Sequence, residues 1–215
     1  MHDLQIYLQP NAPAPIQKIW PQDQHDRLAY TLPEYQLTMD FHSLDFTQVN
    51  QEINQLMLKQ ALELLDPQPT ENILDLFCGL GNFTLPIARF AKHVTGIEGS
   101  EEMVRRAQEN AQKNQIQNTD FYAANLMAPN AKTDWMQKQY DKILLDPPRA
   151  GAKEILDFFS GFSAKKIVYV SCNPATLARD AGELVHKHHY KLKYIGIINM
   201  FPHTAHIEAI AVFEK

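Results

Sequence analysis

Ile73-Leu74-Asp75-Leu76-Phe77-Cys78-Gly79-Leu80-Gly81-Asn82-Phe83 is the stretch that decides the fold. Ile73 to Phe77 is an apolar strand, Gly79 and Gly81 make a turn, and Phe83 to Phe90 continues as a helix. A strand, glycine turn and helix in that order is how an α/β sheet builds its site for a nucleotide-like ligand. The two glycines leave out the Cβ atoms that would keep such a ligand away from the backbone.

Downstream, apolar strands and helices alternate. After the first unit come strand Val94 to Ile97, helix Ser100 to Asn114, a strand near Asp120 to Ala123, strand Lys142 to Asp146 and helix Ala152 to Phe159. Strand Lys166 to Val170, helix Pro174 to His188, and strands near Leu192 to Ile198 and Ile207 to Phe213 complete the series. The alternation predicts an α/β chain of Rossmann-like type, with a mostly parallel seven-stranded sheet and helices on both faces. Ser100 suits a helix cap, with Glu101 and Glu102 in the first turn, and Pro174 suits a first helical position.

Upstream the pattern changes. Val49, Ile53, Leu56/Met57, Gln60/Ala61 and Leu64 repeat at helical steps from Phe46 until Asp66-Pro67-Gln68-Pro69 stops them. Residues 1–45 instead show the two-residue period of short strands, at Leu4/Ile6/Leu8, Leu28/Tyr30/Leu32 and Leu37/Met39/Phe41, with a turn at Pro33-Glu34. The prolines of residues 10–15 exclude helix or central strand there. Two or three short strands hardly stand alone, so residues 1–45 are expected to be a small N-terminal β appendage, the remnant of a preceding domain, and 46–215 the main domain.

The chain has 215 residues, of which 45% are hydrophobic, enough for a core of ordinary size. No apolar run reaches the ~18 residues of a membrane helix, and the start lacks the regions of a signal peptide. A cytoplasmic monomer without membrane contact is expected. Cys78 and Cys172 are the only cysteines, which argues against a disulfide framework or a zinc site. The net charge of −5 argues mildly against a nucleic-acid partner. Yet residues 161–215 hold seven Lys and Arg against four Asp and Glu, a net +3, leaving −8 for residues 1–160. The basic part is the part that contains Cys172.

At the end of the second strand stands Glu98, where an acid can accept hydrogen bonds from both hydroxyls of a ribose. Asn125, after the third strand, could face an adenine edge. A dinucleotide fingerprint needs a third small residue at position 84, where this chain has Thr84. Asp75 beside the turn and Asp146 at the same sheet edge attract a cation rather than a pyrophosphate. A ribose, an adenine, no phosphate and two positive groups describe S-adenosylmethionine.

Cys172 lies in Lys166-Ile167-Val168-Tyr169-Val170-Ser171-Cys172-Asn173-Pro174, between a strand and a helix. The N–H groups and positive end of that helix favour thiolate over thiol, which makes Cys172 a candidate nucleophile. A small buried hydrophobe is the alternative.

Taken together, these residues resemble the bacterial RNA uracil-5 methyltransferases, and most of all the branch that modifies 23S ribosomal RNA. The resemblance covers Phe46 to the C-terminus. It rests on Phe46-Thr47-Gln48-Val49-Asn50, Asp75 to Phe83, Asp146-Pro147-Pro148-Arg149-Ala150-Gly151, Ser171-Cys172-Asn173-Pro174 with Thr176-Leu177-Ala178-Arg179-Asp180, and Met200-Phe201-Pro202-His203-Thr204 with His206-Ile207-Glu208. It implies S-adenosylmethionine contacts at Gln48, Phe77, Asn82, Glu98, Asn125 and Asp146, beside the Gly79 turn. It implies Cys172 as nucleophile and Glu208 as general base, and an RNA substrate, 23S rRNA or tRNA. Members of that family usually carry a front RNA-binding β-barrel and iron–sulfur cysteines, which this chain lacks. An iron–sulfur cluster is therefore expected only in a longer form.

That chemistry makes sense of the residue types. Carbon 5 of uracil is a weak nucleophile until a thiolate adds at carbon 6, and a base must afterwards remove the carbon 5 proton. Phe201 and Tyr169 are candidates to stack on an extruded base, Arg149 to hold a phosphate or the enolate oxygen, and His203 and His206 to shape the loop before Glu208. Three other readings remain: an adenine amino-methyltransferase, whose Asp-Pro-Pro would precede an aromatic instead of Arg149; a cytosine-5 methyltransferase, which would carry a second cysteine near that motif; and a non-catalytic RNA-binding module.

Overall fold

A computed structural model describes residues 4–9, 16–21, 27–200 and 207–215. The elements in chain order are β1 (Ile6–Leu8), β2 (Gln17–Trp20), β3 (Leu28–Leu32), β4 (Leu37–Phe41), α1 (Gln51–Leu65), β5 (Asn72–Leu76), α2 (Thr84–Ala88), β6 (His93–Glu98) and α3 (Glu101–Lys113). There follow β7 (Thr119–Ala123), β8 (Lys142–Leu145), α4 (Lys153–Leu156), α5 (Phe159–Phe162), β9 (Lys166–Ser171), α6 (Pro174–His186), β10 (Lys191–Ile198) and β11 (Glu208–Glu214). Seven strands form one sheet in the order β10-β11-β9-β8-β5-β6-β7. The pairs from β9 to β7 are parallel, while β11 inserts antiparallel between β9 and β10. The expected mostly parallel seven-stranded sheet is therefore present, with its helices on both faces.

Helices on both faces make successive strand residues alternate between two cores, with almost no polar position. Ile73, Leu144, Val168, Val170, Ile210 and Val212 pack on one side with Met57, Leu58 and Ala61 of α1 and with α2 and α3. Leu74, Leu76, Ile143, Leu145, Ile167, Tyr169 and Phe213 pack on the other with Trp135, Phe159, Phe162 and Leu184. Buried polar strand positions are thus conspicuous, and Asp75 and Glu208 are two of them.

The β3–β4 hairpin docks on α3. Asn114 accepts from the Thr38 N–H and donates to its carbonyl, at 2.8 Å each, and Asn110 does the same for Asp40 at 2.8 and 3.1 Å. Two side-chain amides thus satisfy the backbone edge that another strand would have covered. The turn at Pro33 is a 3-10 turn ending at Gln36 in left-handed conformation.

Two local expectations are corrected and one strand is added. The helix foreseen from Phe46 begins at Gln51, because the Asn50 side chain accepts from the Ile53 N–H and caps it, leaving 46–50 outside the helix. The helix foreseen from Ala152 to Phe159 is two single turns, α4 and α5. β2 pairs with β1, although Gln17-Lys18-Ile19-Trp20 has no alternating apolar period to announce it.

Candidate active site

Parallel strands present their carboxyl ends at one edge of a sheet, and each of these five ends next to a candidate residue. Phe77 follows β5, Glu98 ends β6, Asn125 lies past β7, Asp146 follows β8 and Cys172 follows β9. The antiparallel β11 starts at that same edge, and its first residue is Glu208. A cavity of about 690 Å³ opens there, lined by all nine expected residues: Gln48, Phe77, Gly79, Asn82, Glu98, Asn125, Asp146, Cys172 and Glu208.

One half of the cavity is built from amides and backbone. Phe77, Gly79 and Gly81 all have positive φ, at 66°, 54° and 94°, so the turn holds a conformation that is costly for Phe77. Glu98 braces it: the Gly79 N–H donates to Oε2 at 3.1 Å and the Ser100 N–H to Oε1 at 3.0 Å. Each carboxylate oxygen keeps a lone pair for a ribose hydroxyl. Asn125 Oδ1 accepts from the Met127 N–H at 2.9 Å, which leaves the donor half of its amide outside that turn. Asn82 and Asn54 of α1 form a reciprocal amide pair at 3.0 and 3.1 Å, and the Tyr30 hydroxyl of β3 donates to Asn82 Oδ1 at 2.9 Å. The Asn82 oxygen is thereby filled, and one of its N–H bonds remains to point elsewhere.

The other half is anionic. Asp45, Glu98, Glu102, Asp146 and Glu208 line the cavity, and among the described residues Arg149 is the cation that lines it. Burial and the neighbouring Glu208 and Asp75 push the Asp146 carboxyl up to about 8. Burial pushes Glu208 up to about 7, with Arg149 pulling the other way. A surplus of carboxyls that resist ionisation suits a ligand that brings its own positive charge, and the acceptor oxygens of Glu98 with the neighbouring amides suit a nucleoside. S-adenosylmethionine meets both conditions: Glu98, Asn82 and Asn125 could hold its nucleoside and polar groups, and Asp146 its positive charge.

Cys172 is half-buried, one residue before the cap of α6. The expected lowering of its pKa by the helix end is not what the structure has. Burial, then Glu208 and Asp146, push the thiol up, and Arg149 offsets them only in part. The helix end is also partly satisfied, since Asn173 Oδ1 accepts from the Ala175 N–H at 3.1 Å.

Tyr169 is no stacking partner: its ring is fully buried and its hydroxyl donates to Asp180 Oδ2 at 2.6 Å. Asp75 does not line the cavity. It lies buried under the start of α2, where Thr84 Oγ1 donates to its Oδ2 at 2.5 Å while Oδ1 has no partner among the described residues, and burial pushes it up to about 7. Phe201, His203 and His206 lie outside the described residues. Sequence reading missed Tyr30, Asn54, and the ion pair of Asp45 with Arg106 at 2.8 Å, which ties the cavity-lining loop to α3. The Arg106 position on α3 offered a signal, because it falls on the buried face of the helix.

Residues 16–215 match the family described as tRNA (uracil-5-)-methyltransferase. A 23S rRNA (uracil(1939)-C(5))-methyltransferase of Hahella chejuensis is 59% identical over 217 residues, covering 99% of this chain and 48% of that protein. One of Methylococcus capsulatus is 53% identical over 212 residues, with 99% and 48% covered. The chain spans about half the length of the curated relatives it matches. Among solved structures, a tRNA (uracil-54, C5)-methyltransferase of Pyrococcus abyssi in complex with S-adenosyl-L-homocysteine superimposes with a TM-score of 0.75 at 28% identity, covering 88% of this chain and 44% of that one.

Proposed function

The chain belongs to the tRNA (uracil-5-)-methyltransferase family, and on that premise we propose that it is the catalytic domain, residues 46–215, of an enzyme that methylates carbon 5 of a uridine in 23S rRNA. The observation that carries this reading is the convergence of Cys172, Glu208 and Asp146 on one cavity beside the Gly79 turn. S-adenosylmethionine, when bound, supplies an electrophilic methyl group on a positively charged sulfur. The 23S rRNA substrate is favoured by relatives of that name at 53 and 59% identity, against 28% for the tRNA enzyme.

In this mechanism Cys172 first loses its proton to solvent water, which becomes easier once positive charge sits beside Asp146. Its thiolate adds to carbon 6 of the uracil, and the electrons of the 5,6 double bond pass to the carbon 4 oxygen as an enolate. Arg149, which lines the cavity, offsets that negative charge. Carbon 5 then takes up the methyl group as the enolate electrons return to it and the carbon 4 carbonyl reforms, and the electron pair of the bond that the methyl leaves would remain on the sulfur that carried it. Glu208 removes the carbon 5 proton, the 5,6 double bond reforms, and the carbon–sulfur electron pair returns to Cys172. A carboxylate with a pKa near 7 is well matched to that removal at neutral pH.

The reading is tested by mapping 5-methyluridine in 23S rRNA and tRNA from cells with and without the protein. Loss of one 5-methyluridine from 23S rRNA supports it. Loss from tRNA alone replaces the substrate, and loss of a methylated adenine or cytosine, or of nothing, overturns it.

A further inference from the structure

Between Asp146 and Lys153, the loop that carries Arg149 hangs on one face of α6. The Arg149 carbonyl accepts from Asn173 Nδ2 at 3.0 Å and from Thr176 Oγ1 at 3.3 Å. The Ala150 carbonyl accepts from Arg179 Nη2 at 2.8 Å, and the Ala152 N–H donates to Asp180 Oδ2 at 2.7 Å. Positions 173, 176, 179 and 180 follow helical steps of three and four, so they form one stripe. Asp180 is fully buried, and its Oδ1 receives Arg179 Nε at 2.8 Å and Nη2 at 2.7 Å. Tyr169 donates to Oδ2 from β9, the strand that Cys172 follows.

Gly151 sits in the middle of this cradle with φ +82°. A Cβ there would meet Arg179 Nη2 at 2.5 Å and Asp180 Oδ2 at 2.6 Å. The close fit leaves the loop little freedom. Loop and nucleophile are therefore fastened to the same rigid element, since Cys172 enters α6 one residue before its cap.

We propose that Arg179 and Asp180 are positioning residues, which set the Arg149 guanidinium against the Cys172 thiol by fixing the backbone of the loop between them. This rests on the reading of Cys172 as nucleophile, and it assigns a task to two residues that do not line the cavity. The charged groups that act on Cys172 are Glu208 from β11, Asp146 from the end of β8, and Arg149 from the loop. Only the last is held by the cradle, so disturbing the cradle removes the charge that offsets and leaves both charges that repel.

The test is the pH profile of Cys172 alkylation by iodoacetamide, read from the mass of the Cys172 peptide without RNA or S-adenosylmethionine. Arg149→Gln is expected to raise the midpoint by on the order of one pH unit, as for loss of a nearby opposite charge. Arg179→Lys keeps the charge but cannot grip Asp180 and the Ala150 carbonyl together, so it is expected to move the midpoint the same way. The two changes combined should move it no further than Arg149→Gln alone. A wild-type profile in Arg179→Lys, or equal shifts with and without Arg149, overturns the proposal. Gly151→Ala, which crowds the cradle from the loop side, gives a second reading, and its failure to shift the midpoint in folded protein overturns it as well. Because no methyl transfer is measured, failure of the methylation assay would leave this result standing on its own.

Discussion

Cys172 and Glu208 each stand one residue beyond the same rung of the β9–β11 ladder, the pair Ser171 and Ala209. Residues opposite each other in an antiparallel pair lie on the same face and within side-chain reach, so two residues far apart in sequence leave the sheet together. Glu208 is 5% exposed and Cys172 half-buried, and the carboxylate raises the pKa of the thiol. In the proposed mechanism they serve different steps, and their variants should fail differently. Cys172→Ala should give neither methylated RNA nor a covalent complex. Glu208→Gln should stall after methyl transfer and accumulate protein joined to methylated RNA, seen as a shifted band on a denaturing gel. Normal turnover of Glu208→Gln would rule out Glu208 as the base.

The Asp146 carboxyl, pushed up to about 8, predicts pH-linked cofactor affinity. A positively charged ligand favours the ionised carboxyl, so affinity for S-adenosylmethionine should rise with pH and level off above about 8, by at most about tenfold per pH unit for one proton. S-adenosylhomocysteine lacks the sulfonium charge and should show a shallower rise, and Asp146→Asn almost none. Calorimetry from pH 6 to 9 checks this, and equal slopes for the two ligands would remove Asp146 from the sulfonium.

The same shift has a sign for stability. A carboxyl with a raised folded pKa binds more protons folded than unfolded, so its contribution falls as pH rises from about 4 towards about 8. Ligand-free Asp146→Asn should therefore gain in melting temperature over wild type at pH 8 relative to pH 5. A constant difference across that range would contradict the shift.

Tyr30 fixes which half of the Asn82 amide faces the cavity, since its hydroxyl and Asn54 together fill the Asn82 oxygen. Tyr30→Phe removes one neutral hydrogen bond and should weaken cofactor binding by roughly 0.5–1.5 kcal/mol. Unchanged affinity in calorimetry would show that Asn54 suffices.

Asp45 and Arg106 are almost fully buried as a pair, their side chains 9% and 7% exposed. Asp45→Ala leaves the guanidinium without its closest carboxylate and should cost about 3 kcal/mol in denaturant unfolding. Adding Arg106→Met should recover much of that loss, because the cost lies in the stranded charge. If the double variant is no more stable than Asp45→Ala, the pair matters for packing instead.

The sequence by itself determined the sheet, because strands buried on both faces must be apolar throughout and amphipathic helices must alternate with them. It also determined where Gly79, Glu98, Asp146 and Cys172 lie, since each follows or ends a strand and parallel topology brings strand ends to one edge, whereas Glu208 reaches that edge as the first residue of the antiparallel β11. What only the tertiary structure decided are relations between elements distant in the chain. Tyr30 reaches Asn82 because β3 docks on the main sheet through β4 and α3, and Arg106 finds Asp45 across a loop. Tyr169 was read as a base-stacking candidate because an aromatic near a nucleophile invites that role, but its face of β9 points into the core. The Cys172 thiol was read as acidic from its place before a helix. Local order shows the helix dipole, a short-range and partly capped effect, whereas the burial and the two carboxylates that outweigh it come from other strands. Sequence order reports which side chains share an element, and folding decides which charges share a cavity.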